Sequence, residues 1–541
     1  MQRFRTRLRL SALLVVAGLL AAACSGSGGK AGTTDSNDSK SATLTVAAAG
    51  VVSNLDSERY QGFISIDLLP NVAGTLVRFK KPAPDATTLQ TPDQIEPELA
   101  DSWQVSPDKK SVDFTLRASA KSPFGNAVTS ADVEWSIKRM LNSKGVPIAK
   151  ILMGIGGWDT DNPITVKDPT HFTLHFTSYN AVSLSVLSTF FMTIYDSVEA
   201  KKHATGDDPY AYEWLANNTA TFGPYTVESF DPGKQVRLVA NKNYFRGQPK
   251  VANVVIRAVP DAASRLQLVE SGGVDITSGL SFDQQASLKS SKAADLQRML
   301  YPSITTFVLN VKVKPFDDVR VRQALSYAVD RNAILQSVYR GFGTAATDFF
   351  HDDFGVTGVE GITRDPAKAK ALLAEAGYPN GFPLTLSYNV ANVGSESEQI
   401  AVLLRSQLKE VGIDVKLDNI ASGADFDAGK RSGKLTSWLG TSLPLVPDPA
   451  YYLAVFYSTG GLTNQSGYSN PALDKAEKDI LLTPPGADRV AKVKAIDEAM
   501  VADMPAVPLI DSQKFFAFRK AVSGFYSSSQ GHIDYASLSF K

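Results

Sequence analysis

The stretch DDVRVRQALSYAVDRNAILQSVYRG, residues 317–341, settles the class of fold. Val321, Ala324, Leu325 and Ala328 recur at helical spacing behind Asp318, a residue type whose side chain accepts from the free N–H groups of a first helical turn. Asp330 repeats that signal and starts a second helix, with Ile334, Leu335 and Val338 facing inward and Gly341 ending it. The same grammar continues downstream. In DPAKAKALLAEAGYPNGF (365–382) Asp365 caps, Pro366 occupies the first turn and Gly377 terminates. In LLRSQLKEVGIDVKLDNI (403–420) a helix stops at Gly412 and a strand follows. Helix alternating with strand from Val311 onward predicts a parallel or mixed α/β sheet.

Upstream, strands dominate. TLTVAAAG (43–50) alternates and then turns apolar, and SVDFTLR (111–117) alternates throughout, as a half-buried strand does. TSADVEWSIKRMLNS (129–143) places Asp132 three residues after Thr129, a capping-box pattern ahead of a helix. HFTLHF, GPYTVESF, QVRLVAN and VANVVIRAV read as further strands, and no internal repeat is visible.

The 541 residues are 43% hydrophobic and 20% charged, which predicts a large buried core. Single cores rarely exceed ~250–300 residues, so two or more domains are expected. The chain has one cysteine, Cys24, and hence no internal disulfide. It follows Arg3, Arg5, Arg7 and Arg9 and an apolar run from Leu10 to Ala23, the layout of a secretory signal peptide and too short to span a bilayer. The run resembles a lipobox, with Ala21 where leucine is commoner, so Cys24 is expected to be lipidated and to begin the mature chain; no twin arginine is present, which favours general secretion. Residues 25–42, SGSGGKAGTTDSNDSKSA, are too polar to order themselves and read as a tether reaching on the order of 25 Å. Beyond the signal, 55 basic residues less its four arginines leaves 51 against 55 acidic ones, no electrostatic footprint for nucleic acid.

Motifs for catalysis and metals are weak. GFGTAA (341–346) matches a dinucleotide fingerprint in letters but follows a helix rather than a strand. His171 and His175 share a strand face without a third ligand nearby, and Asp317–Asp318 and Asp352–Asp353 fall at helix starts or loops, where capping explains them. No metal, cofactor or catalytic residue is expected.

Several blocks in order carry a resemblance that none carries alone: EPELADSWQVSPDKKSVDFTLR, TFGPYTVESFDPGKQVRLVANKNYFRG, SRLQLVESGGVDI, PFDDVRVRQALSYAVDRNAIL, DPAKAKALLAEAGYPNGF, a Trp438 loop running to Asp448-Pro449, and SGYSNPALD. Together they resemble the large bacterial extracellular solute-binding proteins of ABC importers, family 5, the group of oligopeptide-, dipeptide- and nickel-binding proteins, over roughly residues 43–541. The resemblance implies a two-lobed periplasmic-binding-protein-like α/β fold of the three-subdomain type, with the ligand cleft between the lobes. Lobe 1 would comprise 43–75, 222–310 and 508–541, with 76–221 as an extra subdomain on it, and lobe 2 would comprise 311–507. The segments TFVLNVK (306–312) and VPLIDSQ (507–513) would carry the chain between lobes.

The implied function is capture of a peptide, or of another small polar solute or metal chelate, by hinge closure, with delivery to an ABC transporter permease from a lipid-anchored monomer on the extracytoplasmic face of the cell membrane. The rival class is an exported enzyme or a structural surface protein. Ligand contacts are expected from Asn54, Leu55 and Asp56 after the first strand, Phe307, Tyr388 and Asn389, and Trp438, Gly440, Thr441, Ser442 and Asp448 in the Trp438 loop. One departure stands out: relatives that bind peptide amino termini carry an aspartate three residues after that tryptophan, and here the position is Thr441. Asp448 or Asp56 would have to replace that carboxylate.

Overall fold

The computed structural model describes residues 43–541 except 60–62, 84–85, 87, 144–146, 391–393 and 462. The signal segment, Cys24 and the tether lie outside the described residues.

Two large sheets organise the chain. A seven-stranded sheet has Thr43–Ala48 near its middle, flanked in parallel by Asn253–Ala258 and Ile276–Thr277. A strand paired on both sides and covered on its faces needs an apolar run, which Val46, Ala47 and Ala48 supply. The strand Lys514–Arg519 returns from the far end of the sequence to pair with Ala294–Met299 and Ile276–Thr277. Asp275 locks this junction, accepting from the Thr45 N–H at 2.8 Å and from the Arg519 guanidinium at 2.5 Å.

A six-stranded mixed sheet forms the second lobe. Pro383–Tyr388 runs parallel to Asp414–Asn419, while Ile304–Leu309 pairs antiparallel with both Ser437–Ser442 and Ala506–Ser512. The parallel pair starts where Gly381 meets Gly412. A Cβ on Gly381 would lie 2.0 Å from the Gly412 carbonyl oxygen, and both residues have positive φ. Helices Val319–Ala328, Arg331–Ser337 and Ser397–Lys409 cover the sheet, burying Val321, Leu325, Ile334 and Leu404 completely. Asp318, Asp330 and Asp365 cap as their positions require, accepting from the N–H groups of Arg320, Ala333 and Lys368.

The third body carries a four-stranded sheet, Ala100–Val105, Ser111–Leu116, His171–His175 and Ile164–Val166, backed by the helix Ser130–Leu141. His171 there meets Asp168 at 2.9 Å and His175 meets Thr165 at 2.8 Å, both as exposed pairs.

Two expectations change. The strands Ile304–Leu309 and Ala506–Ser512 belong to the six-stranded sheet over their whole length, so the first passage between the two large sheets lies at residues 300–303, ahead of 306–312, and the second at Gln513, the last residue of 507–513. Texture along a sequence reports burial, and the strand Ile304–Leu309 is as buried and apolar as others in lobe 2, so the first crossing left no trace. Trp438 is the second residue of a strand, Ser437–Ser442, and does not start a loop, because Gly440 and Thr441 are held in register opposite Thr306 and Thr305.

Candidate functional site between the lobes

The two lobes touch and leave a cavity of about 480 Å³ between them. Beside it the Phe282 ring lies 4.6 Å from the Tyr339 ring, and Asp283 receives Arg340 at 2.5 Å. Away from this cavity, Ala181 of the third body donates its N–H to the Leu481 carbonyl of lobe 2 at 2.9 Å. Ala48, Ala49, Asp67 and Arg265 line the cavity from lobe 1; Thr305, Glu396 and Thr441 line it from lobe 2. Lys514 reaches it just after the second crossing.

Four charged side chains border this space. Asp67 and Lys514 stand 3.8 Å apart; burial pushes the carboxyl up and the ammonium down, and their mutual attraction opposes both. Arg265 is buried and spends its guanidinium on the carbonyls of Val259, Pro260, Ser278 and Gly279, at 2.5 to 3.0 Å. With no carboxylate in that set, burial pulls its pKa down. Glu396, one residue before the helix Ser397–Lys409, is pushed up to about 7 by burial, opposed only by its own backbone N–H.

A second cavity, about 280 Å³, opens on the other face of the strand Ser437–Ser442. Trp438, Gly440, Thr441 and Ser442 all line it, with Lys430 and Asn464 opposite. Thr441 borders both spaces, and its hydroxyl oxygen is buried without a hydrogen-bond partner among the described residues. The Trp438 ring, 4% exposed, packs with Phe426 and Leu435, so it is a core residue whose edge reaches a cavity.

The remaining expected residues are placed elsewhere. Leu55 is buried and donates its N–H to the Ala216 carbonyl, while Asn54 receives the Asp56 N–H at 2.8 Å. Asp56 is fully buried against Arg139 at 2.7 Å, on the seam with the third body. Lobe 1 therefore meets the cleft at Ala48 and Ala49, and the chain has turned away by residue 54. Phe307 and Tyr388 face the helices of lobe 2, and Asn389 donates to the Ile420 carbonyl at 2.6 Å. Asp448 caps the helix Pro449–Phe456 through the N–H groups of Ala450 and Tyr451 and pairs with Arg489 at 2.5 Å, so both of its oxygens are engaged by the fold. Both carboxylates that might have replaced an aspartate at position 441 are thus committed to structure.

Asp67, Arg265, Gln285, Glu396 and Lys514 were not foreseen. Arg265 lies within SRLQLVESGGVDI, but a cap-and-period reading places it on a helix without saying what the helix faces. Glu396 sits in NVGSESEQ, which reads only as a polar helix start.

The description "Bacterial extracellular solute-binding proteins, family 5 Middle" matches residues 94–464. The chain is similar to Heme-binding protein A of Haemophilus influenzae, 27% identical over 85% of each chain. It is also similar to the Dipeptide-binding protein of Escherichia coli, 26% identical over 83% of this chain and 86% of that one. Its fold matches a periplasmic binding protein of Helicobacter pylori solved with the peptide STSA, with a TM-score of 0.81, 21% identity and coverage of 92% of this chain and 98% of the other.

Proposed function

The chain belongs to family 5 of the bacterial extracellular solute-binding proteins of ABC importers, and from that premise we propose that it captures peptides outside the cell membrane and passes them to a permease. The observation that carries this reading is the cavity of about 480 Å³, walled by both lobes and lying beside the two chain crossings. That volume is in the range of small-ligand sites. A ligand held there touches both lobes at once, so it stabilises the closed arrangement over an open one by whatever contacts the open form lacks. The permease would then read closure. The peptide relatives support a peptide ligand, while a heme-binding relative and Thr441 in place of a carboxylate keep a non-peptide polar solute or metal chelate as the second reading.

Calorimetry with short peptides, joined to small-angle scattering at saturating ligand, tests this directly. Binding should reduce the radius of gyration by closure about residues 300–303 and Gln513. A protein that binds no peptide but closes on another solute sends the function to the second reading, and binding without compaction removes hinge closure from it.

Attachment is proposed to run through Cys24, with two acyl chains supplying the two signals that stable anchoring needs. Cys24→Ser is expected to leave the folded body intact and to release the protein from membranes in fractionation. Cys24→Ser protein that remains membrane-bound, with no accumulation of the unprocessed form, would remove the lipid anchor from the proposal.

A further inference from the structure

The charges around the cleft do not balance in the way their count suggests. Two cations and two carboxylates border it, but both cations are turned toward protein. Arg265 is filled by four carbonyls, and Lys514 is shared between Asp67, the Gly531 carbonyl at 3.3 Å and the Phe516 ring at 4.9 Å. Glu396 has no cation beside it among the described residues. Two neutral groups repeat the pattern. Gln285, 7% exposed, donates its amide to the Leu280 carbonyl at 2.8 Å and leaves its Oε1, a buried acceptor on the lobe 1 wall, without a partner among the described residues. The Thr441 hydroxyl on the lobe 2 wall is likewise unpartnered among the described residues. Buried acceptors without donors are costly, and a site that leaves several of them on facing walls favours whatever brings N–H groups to them.

We infer that the cleft takes a solute carrying a cationic, N–H-rich group, an ammonium or a guanidinium, and that Glu396 receives it, with Gln285 of the opposite lobe completing the donor–acceptor set. This rests on the solute-receptor reading above. The position of Glu396 suits the role. It precedes the first turn of a 13-residue helix, whose N-terminal N–H groups favour a carboxylate in its charged form once a cation arrives. Closure of the lobes excludes water and strengthens that pairing. Selectivity follows from the same physics: a neutral solute of equal size would close the cleft over an unpaired acid, which discriminates more strongly than a lost apolar contact.

The test compares trialanine, N-acetyl-trialanine and agmatine by calorimetry on the unmutated full chain, Glu396→Gln and Glu396→Asp, together with mass spectrometry of the solute each protein retains on purification. Melting temperatures establish that the variants fold. The unmutated protein should bind a charged probe at least about tenfold more tightly than Glu396→Gln does, and Glu396→Asp should keep much of that preference. N-acetyl-trialanine should not distinguish the three. Agmatine binding that depends on Glu396, with neither peptide bound, supports this inference and overturns the peptide reading. Equal binding of trialanine and its acetylated form to both the unmutated protein and Glu396→Gln overturns the inference and leaves the peptide reading standing. A retained solute with no cationic nitrogen, or no binding of either charged probe with no cation retained, also overturns the inference.

Discussion

Arg139→Ala is expected to destabilise the protein by about 3–5 kcal/mol, the cost of stranding a buried charge. The Arg139 side chain is completely buried, and so is that of Asp56, which receives it at 2.7 Å. The guanidinium also lies 4.7 Å from the centre of the Tyr195 ring and 4.3 Å from that of Tyr212. This cluster joins the turn after the first strand to the third body, so its loss loosens a seam between elements more than 80 residues apart in sequence. Urea unfolding measures the effect. Adding Asp56→Ala should recover part of the loss, because the stranded carboxylate is then gone. An unchanged midpoint for Arg139→Ala would show that the pair contributes nothing net.

Glu58 gives the same cluster a pH dependence of definite sign. Burial pushes its carboxyl up to about 8, with Arg139 opposing and Asp56 reinforcing. Between the ordinary carboxylate pKa near 4.5 and that value, the folded state binds the proton that the unfolded state has lost, so this group's contribution falls as pH rises through the interval. Glu58→Gln should flatten the stability profile between about pH 5 and 8 and raise stability most at the upper end.

Trp438→Ala is the second large effect, again about 3–5 kcal/mol, since it removes a nearly buried ring from a small cluster with Phe426 and Leu435 and leaves a hole beside an existing cavity of about 280 Å³. Ligand affinity should fall as well, through distortion of the strand that carries Gly440, Thr441 and Ser442 to the cavity walls. Denaturant midpoints and calorimetry on one sample separate the two. Lost binding at unchanged stability would make Trp438 a stacking surface for ligand and not a core anchor. The outcome matters for reading the site, because a conspicuous aromatic in a family block invites a direct ligand role. The ring's surroundings argue otherwise.

Signals that act within one turn are legible in the sequence, and those that depend on distant segments are not. Asp318, Asp330 and Asp365 cap helices, and Gly412 and Gly377 end them with positive φ, because such signals act over one turn and depend on a few neighbouring backbone groups. Asp132 reaches back to the Thr129 N–H at 2.8 Å for the same reason. The order of blocks along the chain was enough for the family and its two-lobed fold. The cleft was not legible in that way. Its walls combine residues 48 and 49, 67, 265, 285, 305, 396, 441 and 514, which no single window spans.

By itself the sequence determined the helix and strand grammar, the α/β class, the family and the one cysteine available for an anchor. Only the tertiary structure decided which carboxylates are spent on the fold and which face the cleft. Asp56, Asp448 and Glu396 look alike as letters. Asp56 and Asp448 are held by Arg139 and Arg489, side chains 83 and 41 residues away, while Glu396 comes to the cavity with no such partner among the described residues. A carboxylate's role depends on the charges and solvent around it, and those are set by packing between distant segments, which cap signals and periodicity do not encode.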